Sequence, residues 1–183
     1  LRDTPWMNHT LDRSLILSGN ALDMGSLRWT RPYFPTRDER AGLVGSFLPS
    51  WAVASAHTSG WVWTGMGSPE PWSVLRAESP ALSPLERQHW HAGVISHHHT
   101  VRTMGALHLL DPCSTMMEIL LRCENIDSAA AQIFALQTGL DTPLHTLPHR
   151  RRASPASRTR ALRIIERVSE LQELYPDITR YTS

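Results

Sequence analysis

The sequence predicts an α+β fold: a small mixed β-sheet in the middle third, packed against C-terminal helices. Three observations carry this. Short apolar runs punctuated by Gly and Pro crowd the stretch from Trp51 to Leu110. Asp111-Pro112 and Ser154-Pro155 each set a capping side chain before a first-turn Pro, and apolar residues at helical spacing follow both. The chain has 183 residues, 41% hydrophobic and 19% charged, which suits one domain or one domain with an appendage.

The elements follow in order. Residues 1–25 carry no sustained periodicity and read as an irregular N-terminal segment. Ser26 to Phe34 alternates loosely through Leu27, Trp29, Tyr33 and Phe34 and is broken by Pro32, which predicts an edge strand or hairpin. Asp38 to Phe47 predicts a short helix with Leu43, Val44 and Phe47 on one side, stopping before Pro49. Trp51 to Ala54 is a short apolar stretch. His57 to Thr64 forms one or two helical turns, ended by Gly65 and Gly67. Trp72 to Ala77 and Gly93 to His97 have strand character, and Val101 to Leu110 predicts a hairpin turning at Met104-Gly105. The first capped helix runs to Arg122, with Met116, Met117, Ile119 and Leu120 as its apolar face. A second runs from Asp127 to Gly139 through Ala130, Ile133, Phe134 and Leu136. Leu140 to His149 is a connector containing Pro. The third helix carries Ala161, Ile164, Ile165, Val168, Leu171 and Tyr175 as an apolar stripe, and Pro176 stops it. Residues 26–148 thus form the α+β domain, and residues 149–183 add an Arg-rich helix packed on it.

All 18 basic residues are Arg, and none is Lys. A Walker phosphate loop, a protein kinase and a Schiff-base enzyme each need a Lys and are excluded. No run of 18 apolar residues is present, so no transmembrane helix is expected. Leu1 to Ile16 holds Arg2, Asp3, Asp12 and Arg13 and does not read as a signal peptide. A chain opening on Leu1 fits a non-standard start codon or a piece of a longer protein. Cys113 and Cys123 form no CxxC pair, so neither a zinc ribbon nor a disulfide framework is supported, and the expected compartment is the reducing cytoplasm.

Charge is uneven. Residues 1–148 hold 10 Arg and 13 acids, whereas residues 149–183 hold 8 Arg and 4 acids. Arg150, Arg151, Arg152, Arg158, Arg160, Arg163 and Arg167 cluster there, with Arg160, Arg163 and Arg167 on one helix face beside the apolar stripe. Guanidinium groups suit bidentate contacts to phosphate or carboxylate, so this face could meet nucleic acid or an acidic partner; equally, it could be a solvated helix face. His89 with His91, and His97 with His99, sit two apart, so either pair on a strand could offer two metal ligands. With no HExxH and no Cys partner, edge or solvent histidines are the simpler reading, and no metal or cofactor is assigned. Ser55, His57 and Asp111 are triad residue types without a nucleophile elbow, so no catalytic residue is assigned. Trp61, Trp63 and Trp72 could line a pocket, but core packing is the plainer role.

Three stretches together resemble a known family. The first runs from Trp51 to Gly65 and contains His57, Ser59 and the closing Gly. The second runs from Gly105 to Leu120, with Pro112, Thr115 and Glu118 at the spacing of a Ser-Pro-x-Arg-Thr-hydrophobic-hydrophobic-Asp motif. The third is Leu147 to Arg152 followed by Arg158 to Leu162, similar to an Arg/Gly-rich loop entering an Arg-Ala-rich helix. In this order they resemble the C-terminal domain of AbiEi-type antitoxins of bacterial type IV toxin–antitoxin systems. The resemblance spans roughly residues 26 to 168. Ala56 departs from the Ser that usually precedes the His. Asp111 and Ser114 replace the Ser and the Arg of the second motif; Asp111 can still cap a helix.

The resemblance implies a non-enzymatic regulatory or interaction protein that meets a nucleotidyltransferase-like toxin, with DNA as a second partner in transcriptional regulation and no membrane. The family places a winged helix-turn-helix before this domain. Here only Ser26 to Phe34 could stand for its wing, and the three helices before it have no room. The alternatives are a sequence-independent nucleic-acid binder using the C-terminal Arg residues and a metal-dependent hydrolase using the His cluster.

Overall fold

The computed structural model describes residues 22–24, 27–29, 35–77, 90–140 and 154–176. Over these the architecture is α+β, as the apolar patterning predicts. A hairpin of β1 (Leu22–Met24) and β2 (Leu27–Trp29) comes first. It begins inside the segment expected to be irregular up to residue 25, and Met24 pairs with Leu27 at its tip. The register therefore sits earlier than the alternation beginning at Ser26 suggests. Helix α1 (Arg37–Phe47) follows. Thr36 and Glu39 close a capping box at its start: Thr36 Oγ1 accepts from Glu39 N at 3.3 Å, and Glu39 Oε2 accepts from Thr36 N at 2.9 Å. Its buried face is Arg40, Ala41 and Val44. Phe47, expected on that face, is 48% exposed and instead stacks on Trp72 with ring centroids 5.8 Å apart.

The remaining strands form one five-stranded mixed sheet: β3 (Val53–Ala54), β4 (Trp72–Arg76), β5 (Trp90–Val94), β6 (Val101–Met104) and β7 (Leu107–Leu110), in spatial order β5-β4-β3-β7-β6. β4/β5 and β3/β7 are parallel, and β3/β4 and β6/β7 antiparallel. β6 and β7 join through Gly105 at φ 58°, a left-handed position where a Cβ would be strained. β5 starts earlier than the expected Gly93 and ends at Val94. Beyond Ile95 the chain turns, with His99 N donating to Ser96 O at 3.0 Å. The sheet's period-2 pleat sorts its apolar residues onto two faces. Ala54, Val74, Leu107 and Leu109 meet Ala41, Val44, Trp61 and Val62 on one face. Val53, Leu75 and Leu110 gather on the other.

Helix α2 (Ala56–Thr64) leaves β3 directly and ends at Gly65, whose φ of 74° forms a left-handed cap with its N–H on Trp61 O at 2.7 Å. Arg40 lies buried beneath this C-terminus and donates from Nε to Val62 O at 3.0 Å, a cation at the negative end of a helix. Helices α3 (Pro112–Arg122), α4 (Ile126–Leu140) and α5 (Pro155–Leu174) pack with α2 around a second core. Met116, Ile119, Leu120, Ala130, Ile133, Leu136, Ala161, Ile164 and Val168 are buried there. Asp111 Oδ1 accepts from Ser114 N at 2.8 Å and Ser154 Oγ from Ser157 N at 3.1 Å, so both Pro-marked starts form as the sequence predicts. Trp63, partly buried, touches both cores.

Candidate functional site

α2 and α3 meet along a polar seam that holds several of the motif positions. Ser59 Oγ and Thr115 Oγ1 lie 2.8 Å apart, and each is 3.2 Å from Leu110 O. Two hydroxyl protons serve this triangle: one bonds the carbonyl and the other bonds the neighbouring hydroxyl. Trp63 Nε1 also donates to Leu110 O, at 2.9 Å. The last residue of β7 is thereby tied to both helices. Pro112 supplies the first turn of α3, and Gly65 closes α2. The structural roles of these positions are therefore plain.

Glu118, one turn further along α3, is fully buried. Ser96 N donates to His99 Nδ1 at 3.0 Å, which leaves the His99 proton on Nε2, and that atom donates to Glu118 Oε1 at 3.1 Å. Arg122 Nε pairs with the other carboxylate oxygen. A buried carboxylate needs such partners, because leaving it alone in a low dielectric is costly.

His57 stands at the start of α2. Its Nε2 bonds Pro71 O. A carbonyl only accepts, so the proton sits on Nε2 and Nδ1 presents a lone pair. That lone pair faces Ser73 Oγ at 3.3 Å and Cys123 Sγ at 3.7 Å. Burial lowers the His57 pKa, the Pro71 carbonyl opposes this, and the nearby His91 lowers it further. Burial pushes the Cys123 thiol up to about 11, against a backbone hydrogen bond from His57 and the Arg160 charge, which pull it down, and Glu118, which raises it. Ala56, immediately before His57, is buried with φ 43°, a strained value for a residue with a Cβ. Ser55 Oγ beside it is buried without a hydrogen-bond partner. His57 and Cys123 open onto a cavity of about 390 Å³, which His91, Arg122, Asn125 and Ser128 also line.

The other sequence candidates fall elsewhere. Asp111 caps α3, so Ser55, His57 and Asp111 are not brought together as a triad. Trp61 and Trp72 are buried in the first core and Trp63 bridges the two, so these rings pack rather than line the cavity. His91 lines the cavity, the His97 ring lies 3.6 Å from that of His98, and His99 holds Glu118. Among the described residues, no group of three His, Cys, Asp or Glu is arranged to hold a metal ion. His89, Arg150, Arg151 and Arg152 lie outside the described residues.

On α5, Arg158 and Arg163 are exposed. Arg160 Nη2 donates to Leu121 O at 3.3 Å, and Arg167 Nε pairs with Asp127 Oδ1 at 3.0 Å. The face expected from helical spacing is thus shared between internal contacts and solvent. Sequence reasoning missed the pairing of Cys123 with His57. The two are 66 residues apart, and neither belongs to a short motif containing the other. Among the described residues, no helix is long and apolar enough to cross a membrane. In comparisons with known proteins, no protein-family model, no curated protein and no solved structure matches this chain.

Proposed function

We propose that this chain is an antitoxin-like interaction and regulatory protein of a bacterial type IV toxin–antitoxin system, cytoplasmic and non-enzymatic, whose partner is a nucleotidyltransferase-like toxin. One observation supports this reading most. The described parts of the resembling stretches, far apart in the chain, pack together: Ser59 and Thr115 bridge α2 to α3 across the Leu110 carbonyl, and Ala161 on α5 is buried against the same helices. Polar residues at motif positions spend their hydrogen bonds inside the protein. A motif of that kind specifies a scaffold that carries a contact surface. The contact surface in this reading is the outer side of α5, where Arg158, Leu162 and Arg163 are exposed, with Leu162 at 61%. Arg flanking an exposed apolar side chain suits an acidic protein surface.

The test is co-expression with a nucleotidyltransferase-like toxin encoded beside it. Growth should recover with the native chain and fail to recover when Arg158 and Arg163 are both changed to Glu. Growth arrest that persists with the native chain ends this reading. The second reading, DNA bound through the same Arg residues in transcriptional regulation or without sequence preference, is separated by salt. Phosphate binding weakens steeply as salt rises, and its slope falls by about 1 for each Arg removed.

A further inference from the structure

The geometry points to Cys123 as an acyl-acceptor site, at which the thiol takes an acyl group from a small acyl thioester while His57 Nδ1 receives the proton. Four observations converge there, and none depends on the antitoxin-like reading. The His57 tautomer is set by the Pro71 carbonyl, so the ring nitrogen that faces Cys123 Sγ at 3.7 Å and Ser73 Oγ at 3.3 Å is the unprotonated one. A nucleophile, a base in reach and a third group orienting the base make the arrangement that activates a thiol. The pair opens onto a cavity of about 390 Å³, so a ligand has room to reach the sulfur. Arg122, Asn125 and Ser128 line that cavity and can bond an acyl oxygen or an anionic tail. The backbone is strained at Ala56, next to His57, and strain of this kind gathers at functional positions.

The step balances without a further reagent. The Cys123 sulfur bonds the acyl carbon, the bond from that carbon to the donor's sulfur breaks, and the donor leaves as a thiol. Its proton comes from Cys123 by way of His57 Nδ1. One thioester replaces another, so nothing is oxidised or reduced. The product is a stoichiometrically acylated protein, which fits a regulatory mark rather than turnover. The base is needed because a thiol at about 11 is ionised in only about one molecule in ten thousand at neutral pH. The groups around His57 are His91 on β5, Glu70 before Pro71, Arg122 and Glu124 beside Cys123, and Cys123 itself.

The absence of Lys makes the experiment clean, since no ε-amine competes for the acyl group. The full chain is treated with phenyl thioacetate and followed by intact-protein mass and peptide mapping. One acetyl group should appear on Cys123 and be released by hydroxylamine. It should be absent in Cys123→Ser and unchanged in Cys113→Ser. His57→Gln should slow acetylation at least about tenfold. The pH profile of the native chain serves if that variant does not fold. With His57 as base the rate levels off above about pH 7, whereas an unassisted thiolate climbs about tenfold per pH unit up to its own titration. A continuous climb, equal labelling of Cys113, or a folded native chain that takes no acetyl group would each overturn the proposal.

Discussion

Replacing Gly60 with Ala should destabilise the protein, although the same change in an unobstructed helix stabilises it. Gly60 lies in α2, where exchanging Gly for Ala gains about 1 kcal/mol from backbone entropy. Here the added Cβ would sit 2.7 Å from Gln132 Oε1, 3.0 Å from Gln132 Cδ and 3.1 Å from Ile119 Cδ1. The Gln132 amide cannot retreat freely, because its Nε2 donates to Met66 O at 2.8 Å and His57 O at 3.2 Å. Overpacking of this kind costs about 1–3 kcal/mol, and each hydrogen bond weakened costs about 0.5–1.5 kcal/mol. The net is a loss of about 2 kcal/mol, or roughly 4–8 °C in Tm for a domain of this size. Gly42, on the exposed side of α1, has nothing within 4 Å of its would-be Cβ, so Gly42→Ala should gain about 0.5–1 kcal/mol. Urea unfolding of both variants measures the contrast, with midpoints moving in opposite directions at constant m. A Gly60→Ala protein as stable as the parent would refute the close approach of α2, α3 and α4 on which the argument rests.

Two further outcomes follow from the same contacts. Thr115→Val should cost about 1–2 kcal/mol in urea unfolding, and a double-mutant cycle with Ser59→Ala should return a coupling of at least about 0.5 kcal/mol, since the two hydroxyls share one carbonyl. Additive costs would mean that the hydroxyls act separately. The second outcome concerns pH. Burial holds the His57 imidazole below its usual 6.5 in the folded chain, so the unfolded chain binds the proton first as pH falls. The His57 contribution is intact above the unfolded value and is lost as pH falls through the folded one. Urea midpoints of the native chain should therefore drop between about pH 7 and pH 5 more than those of His57→Gln, and parallel curves would contradict the burial.

Much of the fold was legible in the chain because local chemistry suffices for it. Asp111-Pro112 and Ser154-Pro155 settle two helix starts by capping within four residues. Gly65 and Gly105 mark a helix end and a hairpin turn because their φ values suit a residue without a Cβ. The apolar stripe of α5 predicts its docking, and Ala161, Ile164 and Val168 are indeed buried. Local patterning says less where a distant partner decides. Spacing on α1 puts Phe47 on one side with Leu43 and Val44, but it is half-exposed and stacks on Trp72 at the edge of the first core. Arg160, Arg163 and Arg167 share a face by helical geometry, yet Leu121 O and Asp127 draw two of them into internal contacts.

The helices, the turns, the lack of any Lys-dependent chemistry and the concentration of Arg near the C-terminus are written in the order of residues along the chain. Periodicity, caps and composition are properties of neighbouring residues, and those are all a linear chain displays. The strand order of the sheet, the burial of Glu118 against His99 and Arg122, and the meeting of His57 with Cys123 arise only on folding. Each of these depends on segments far apart in the chain being held in contact by the two hydrophobic cores, and no local pattern records which distant partner a side chain will find.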